Sequence, residues 1–282
     1  MVQTIHPYVY IEPPDIEERP FGLFHAATPL TGVDGHWEYG GIEFDSLGGY
    51  QGQFYPVGIN AAGGAGGSKT LPSANPRTHA LPFAVYAGIE CGVVGYTAAE
   101  HEARALRVLE LSGQHAAENA LWTGGGGNAP GLNASTTTIP TGGATASKVS
   151  TALRILEDWL GDNYNGRGFI HAKRGVSAIA GSAHLVKDTY DLDPRVVSTP
   201  GGTRWIFGAG YDGTGPNAVV PSAGQTWIYA TGGVVLLRGE PREPTLEQAI
   251  VKTLNTVHII AEQEYLITYD YAVAAALVDL TL

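Results

Sequence analysis

Residues 83–124 read FAVYAGIECGVVGYTAAEHEARALRVLELSGQHAAENALWTG. The first nine, 83–91, follow Pro72, Pro76 and Pro82 and have the apolar, β-prone character of a strand. Thr97-Ala98-Ala99-Glu100 then fits a capping box, in which the Thr hydroxyl accepts an early backbone N–H and the Glu reaches back. Ala99, Ala103, Leu106, Ala117, Ala120 and Leu121 recur near helical spacing, and Glu100 and Arg104 stand in the favourable i,i+4 order. The spacing predicts a helix over 97–122, roughly 38 Å long at 1.5 Å per residue. Gly113 makes a bend possible inside it, and the glycines at 124–127 end it.

Working outward, residues 1–35 read as an extended arm, because Pro7, Pro13, Pro14, Pro20 and Pro29 break any helix. Strand-like stretches at 37–39 and 52–57 precede a flexible tip, AAGGAGGSKT at 61–70. Strands on either side of this tip suggest a long hairpin, which needs something to lie on. Residues 128–146 read as an irregular connection. Ser147 is expected to cap a second helix, with Val149, Leu153, Leu156 and Leu160 as its stripe and Gly161 as its stop. A strand at 168–172, a helix at 176–185 and strands at 203–208, 226–237, 257–261, 265–269 and 272–280 complete a mixed α+β pattern. No internal repeat is evident.

The chain has 282 residues and a formal charge of −11, with 15% charged residues against about 25% in average proteins. Acidity is concentrated at the ends: residues 1–50 hold eight acidic groups and one basic, while 51–200 hold eleven of each. This balance disfavours a basic nucleic-acid binder, and the 44% hydrophobic content disfavours disorder. The 39 glycines lack a three-residue period, which excludes collagen. A single cysteine, Cys91, excludes an internal disulfide and reads as a small core residue. MVQTIHPYVY lacks the pattern of an export signal, and the longest apolar run, 271–278, is too short to span a membrane. Synthesis in a reducing cytoplasm and no membrane contact are the expectation. So little charge implies a surface covered by other copies of the same chain.

Two glycine motifs invite a nucleotide. Gly63-Gly64-Ala65-Gly66-Gly67-Ser68-Lys69-Thr70 resembles a phosphate loop, but Pro72 and Pro76 deny it the helix whose N-terminus would hold phosphate. Gly208-Ala209-Gly210-Tyr211-Asp212-Gly213 matches a dinucleotide fingerprint, yet Gly215 and Pro216 again leave no helix. The nine histidines lack metal-ligand spacing; His101, His115 and His171 read as packed or solvated. Ser177 lacks the second glycine of a nucleophile elbow. Asn133-Ala134-Ser135 is a sequon that only an exported chain would use. No catalytic residue, cofactor site or metal site is expected.

The order of elements resembles the major capsid proteins of tailed bacteriophages with the Hong Kong 97-type fold, particularly those of long-tailed actinobacteriophages. The resemblance rests on 83–124, GFIHAKRG at 168–175, GTRWIFGAGYDGTGP at 202–216, TWIYATGGVVLLRGE at 226–240 and NTVHIIAEQEYLITYD at 255–270. It implies an N-terminal arm at 1–40, an extended loop at 41–88, a peripheral domain with a spine helix at 89–145, an axial domain at 146–254 and closing strands of the peripheral domain at 255–282. It also implies pentamers and hexamers that form an icosahedral virion shell around double-stranded DNA, without sequence-specific binding. A separate scaffolding protein, a portal and a decoration protein would be partners. Gly63, Gly64, Gly66, Gly67 and Lys69 in the extended loop, with Tyr211, Asp212 and Pro216 in an axial loop at 209–225, are the expected assembly residues. Some relatives crosslink a lysine of the extended loop to a neighbour's asparagine, and Lys69 is the only lysine there. The alternatives are an encapsulin-like shell around a protein cargo and a nucleotide-binding enzyme that uses the glycine loops.

Overall fold

The structure, a computed structural model, describes residues 16–17, 19–30, 33, 35–49, 77–92, 97–128, 130–188, 193–242, 250–251 and 256–281. In chain order these residues form α1 (Leu23–Ala26), β1 (Thr28–Pro29), α2 (Trp37–Gly40), β2 (Ile42–Asp45), β3 (Arg77–Ala80) and β4 (Phe83–Gly92). The long α3 (Ala98–Thr123), α4 (Val149–Asn163), β5 (Phe169–Lys173), α5 (Val176–Ser182), β6 (Lys187–Asp188), β7 (Val197–Ser198) and β8 (Arg204–Gly208) follow. The chain closes with β9 (Gln225–Thr231), β10 (Val234–Arg238), β11 (Ile250–Val251), β12 (Thr256–Tyr269) and β13 (Val273–Asp279).

α3 forms where the capping box placed it. Thr97 Oγ1 accepts the Glu100 N–H at 3.4 Å, and Glu100 Oε2 accepts the Thr97 N–H at 2.7 Å. Gly124, at φ +74, ends the helix and donates its N–H to the Ala120 carbonyl. The helix continues through Gly113, where a Cβ would lie 2.7 Å from the Tyr265 hydroxyl. That glycine therefore admits Tyr265 rather than breaking the helix. The buried stripe is Ala105, Leu109, Ala117 and Leu121, while Ala99 and Ala103 of the expected stripe are exposed. α4 buries Val149, Leu153, Leu156 and Leu160 as expected. Its cap differs: Lys148 occupies that position, and Ser147 instead bridges to β13 through its backbone. Gly161 lies inside the helix, not at its end.

Two sheets lie along α3. In the first, β12 pairs antiparallel with β4 on one side and with β10 and β11 on the other, and β1 adds in parallel to β10. The second runs β13-β9-β5-β8-β7-β6, with β5 and β8 parallel. Its central strands are buried on both faces. Ile170, Trp205, Phe207 and Ile228 face the α4 cluster, whereas Phe169, Ile206, Trp227 and Tyr229 join the α3 cluster. This period-two division puts the sheet between two helical layers.

Several expected elements are corrected. Residues 37–39 form a helical turn rather than a strand, because Trp37 folds into a cluster with Ala80, Leu237 and Leu266. The stretch 52–57 lies outside the described residues. The arm is not wholly extended: Leu23 and Ala26 are fully buried in α1. The expected strand 226–237 is two strands that switch sheets at Gly232-Gly233, and 257–269 is one strand that tolerates Glu262-Gln263-Glu264. β13 returns to the second sheet beside that switch, and Tyr164 pins both crossings. Its hydroxyl accepts the Gly233 N–H at 2.9 Å and donates to Asp270 Oδ2 at 3.1 Å.

Candidate functional site

The two expected assembly loops leave the body in different places. Gly63, Gly64, Gly66, Gly67 and Lys69 lie outside the described residues, but the base of their hairpin is defined. β2 and β3 pair antiparallel in a sheet of their own, from Ile42 opposite Ala80 to Asp45 opposite Arg77. Arg77 spans Glu43 at 2.6 Å and Asp45 at 3.1 Å, with its side chain 62% exposed. The strand expected to return from the tip, β4, pairs instead with β12, and β3 takes the place beside β2.

The loop after β8 has a buried root. Tyr211 is 1% exposed; it packs on Trp122 at 4.8 Å between ring centroids, and its hydroxyl meets His171 Nδ1 at 2.9 Å. Burial pushes the His171 imidazole down to about 3, so the ring is neutral and structural. Burial also pushes the Tyr211 phenol well above its ordinary value. Thr214 bonds four side chains, accepting from three and donating to one. Its carbonyl accepts Trp122 Nε1 at 3.2 Å and Tyr229 Oη at 2.9 Å; its hydroxyl accepts Asn133 Nδ2 at 3.1 Å and donates to Asp212 Oδ1 at 2.7 Å. Gly213 (φ +83) adopts a left-handed turn, and a Cβ there would lie 2.5 Å from Thr226 Oγ1. Pro216 is buried and Asp212 is exposed.

Of the three expected residues in this loop, Tyr211 and Pro216 therefore hold it from beneath, and only Asp212 reaches solvent. The exposed tip is 217–220, continued by 222–224. It carries Val219 at 53% exposure and Val220 at 78%. Asn217 and Ala218 are held at φ 60 and φ 54, and the Gly215 N–H bonds the Val219 carbonyl at 2.8 Å. The tip is thus a shaped apolar projection, not a slack turn. Reading the sequence for glycines missed it. The available signal was a pair of β-branched residues standing between Pro216 and Pro221.

Among the described residues, no group of three His, Cys, Asp or Glu gathers as metal ligands. No helix among them is long and apolar enough to cross a membrane. Gly208-Ala209-Gly210 is followed by this loop and a 3₁₀ turn at Pro216–Ala218, so no helix N-terminus faces it for a dinucleotide.

No family model and no curated protein matches the chain. Solved structures match it from end to end. The capsid of a native GTA particle is 16% identical, covering 98% of this chain and 95% of that chain, with a TM-score of 0.58. Structures of Mycobacterium phage Adephagia (13% identical, 100% and 97% covered, TM-score 0.56) and Microbacterium phage Oxtober96 (14%, 99% and 97%, TM-score 0.52) are similar over the same length. The chain has the mixed α+β fold of phage and GTA capsid structures, as the order of its elements implied.

Proposed function

We propose that this chain is a major capsid protein, which assembles as pentamers and hexamers into the icosahedral head of a tailed bacteriophage around double-stranded DNA. The observation that carries the reading is the match to capsid chains of GTA particles, which covers 98% of this chain and 95% of those chains. On this reading residues 1–40 are the arm, 41–88 the extended loop, 89–145 and 255–282 the peripheral domain, and 146–254 the axial domain. The tip around Val219 and Val220 meets its equivalents at capsomer centres, where contact removes apolar surface at about 25 cal/mol per Å². Hairpins and arms laid across neighbours add backbone pairing that one subunit lacks. A scaffolding protein, a portal and a decoration protein are the further partners, and assembly takes place in the host cytoplasm. The protein acts as a structural component, not as an enzyme.

The test is expression of the chain alone and with a scaffolding protein, followed by negative-stain imaging and analysis of particle contents. Closed icosahedral particles are expected, with DNA of defined length in the native head. Particles filled with a protein cargo would make the shell an encapsulin-like compartment. A small discrete oligomer that binds nucleotide at micromolar concentration would overturn the capsid reading.

A further inference from the structure

The glycine loop that resembles a dinucleotide fingerprint does face a carboxyl group, and that group is the protein's own. Glu118, on α3, is completely buried. Its Oε1 accepts the Leu23 N–H at 3.1 Å, and its Oε2 accepts the Gly210 N–H at 2.9 Å. The Ala209 N–H lies close enough to add to its stabilisation, and the next residue on the helix, Asn119, donates to the Gly210 carbonyl at 3.3 Å. Three segments far apart in sequence meet at this one carboxylate: the arm, the long helix and the loop after β8.

Two glycines permit the approach. A Cβ on Gly22 would stand 1.9 Å from Gln114 Nε2, and one on Gly210 would stand 2.0 Å from the His115 carbonyl. A buried carboxylate is tolerable only while its donors stay in place. Burial raises the Glu118 pKa, and the N–H donors of Gly210, Leu23 and Ala209 work against that rise, as does nearby His115. Removing one donor leaves the buried carboxyl without part of its solvation, so the side chain is driven to take up a proton or to turn away, and either change disturbs the bonds that remain.

We propose that Glu118 is a shared anchor that couples docking of the arm at Leu23 to the position of the loop at Ala209 and Gly210, so that neither is released without loosening the other. Such coupling is reciprocal by thermodynamic linkage. It operates within one subunit and stands whether or not the chain builds a shell. In a shell, arm contacts and loop contacts made with different neighbours would communicate through this residue.

Hydrogen exchange on the full chain tests the proposal. Gly22→Ala crowds Gln114 and Glu118 Oε1 from the arm side, and Gly210→Ala crowds the His115 carbonyl and Glu118 Cβ from the loop side. Gly22→Ala is expected to speed exchange at Gly210 about tenfold, Gly210→Ala to do the same at Leu23, and Glu118→Ala to do both, with β5 unchanged in all three. If Glu118→Ala is insoluble, Glu118→Gln, which keeps one acceptor oxygen, is expected to change both sites in the same direction by a smaller factor. Effects confined to 21–26 in Gly22→Ala and to 208–213 in Gly210→Ala would overturn the coupling. So would unchanged exchange at both sites in Glu118→Gln.

Discussion

The base of the hairpin and the root of the loop after β8 hold their glycine-containing tips by opposite means. At the hairpin, two four-residue strands carry Arg77 between Glu43 and Asp45, all three well exposed. Ion pairs of this kind are weak and screened by salt. At the loop, Thr214 is held by Trp122, Tyr229, Asn133 and Asp212, and Tyr211 lies in the core beneath it. Apart from the exposed Asp212, these partners are buried, and hydrogen bonds to buried partners are costly to break and nearly indifferent to salt. Abundant glycine does not by itself mark a mobile loop. What decides is the set of side chains at the loop's foot.

The largest effect is expected from the buried side. Trp122→Ala removes the ring under Tyr211 and Tyr229 together with a donor to Thr214, and is expected to cost about 3–5 kcal/mol in denaturant unfolding. Thr214→Val deletes the hydroxyl that Asn133 and Asp212 share; it is expected to cost about 1–3 kcal/mol, with faster exchange in the loop and none at the hairpin base. Thr97→Ala removes the cap of α3, remote from both loops, and is expected to cost about 1 kcal/mol by thermal unfolding.

The same cap gives a pH dependence. Hydrogen bonds from the Thr97 backbone and side chain hold the Glu100 carboxyl below its ordinary value of 4.5. A depressed carboxylate contributes stability above its unfolded pKa and loses it as the pH falls through the folded pKa. The Tm difference between the parent and Glu100→Gln is therefore expected at neutral pH and should vanish in acid below that folded value. The smallest effect on the subunit is expected from Arg77→Ala. It should leave the Tm nearly unchanged while making particle yield less sensitive to salt, as measured by light scattering. A large loss of subunit stability from Arg77→Ala would erase the contrast between the two regions.

Much of the fold was legible in the sequence because α3 and α4 carry local signals. The Thr97 and Glu100 box, the Gly124 stop and the stripe of Val149, Leu153, Leu156 and Leu160 each act over a turn or two. What was not legible depends on partners distant in the chain. Gly232 switches sheets because the Asp270 carbonyl and the Tyr164 ring stand where its Cβ would be. Gln263 sits inside a strand because its amide reaches the Gly239 carbonyl and the Tyr265 hydroxyl. Ser147 leaves its capping position because β13 takes its backbone. The shape of the loop proposed for assembly was half legible. Glycine and proline marked where loops leave the body, yet Tyr211 and Pro216 proved buried, and the exposed pair Val219 and Val220 was not singled out.

The most direct test of the account is a cryo-electron microscopy reconstruction of the assembled particle. The account predicts an icosahedral shell in which Val219 and Val220 of five or six subunits converge around each capsomer centre, with the loop root unchanged and the hairpin differing among quasi-equivalent positions. Subunits arranged with 217–224 facing solvent away from every symmetry axis, or no closed shell at all, would contradict it.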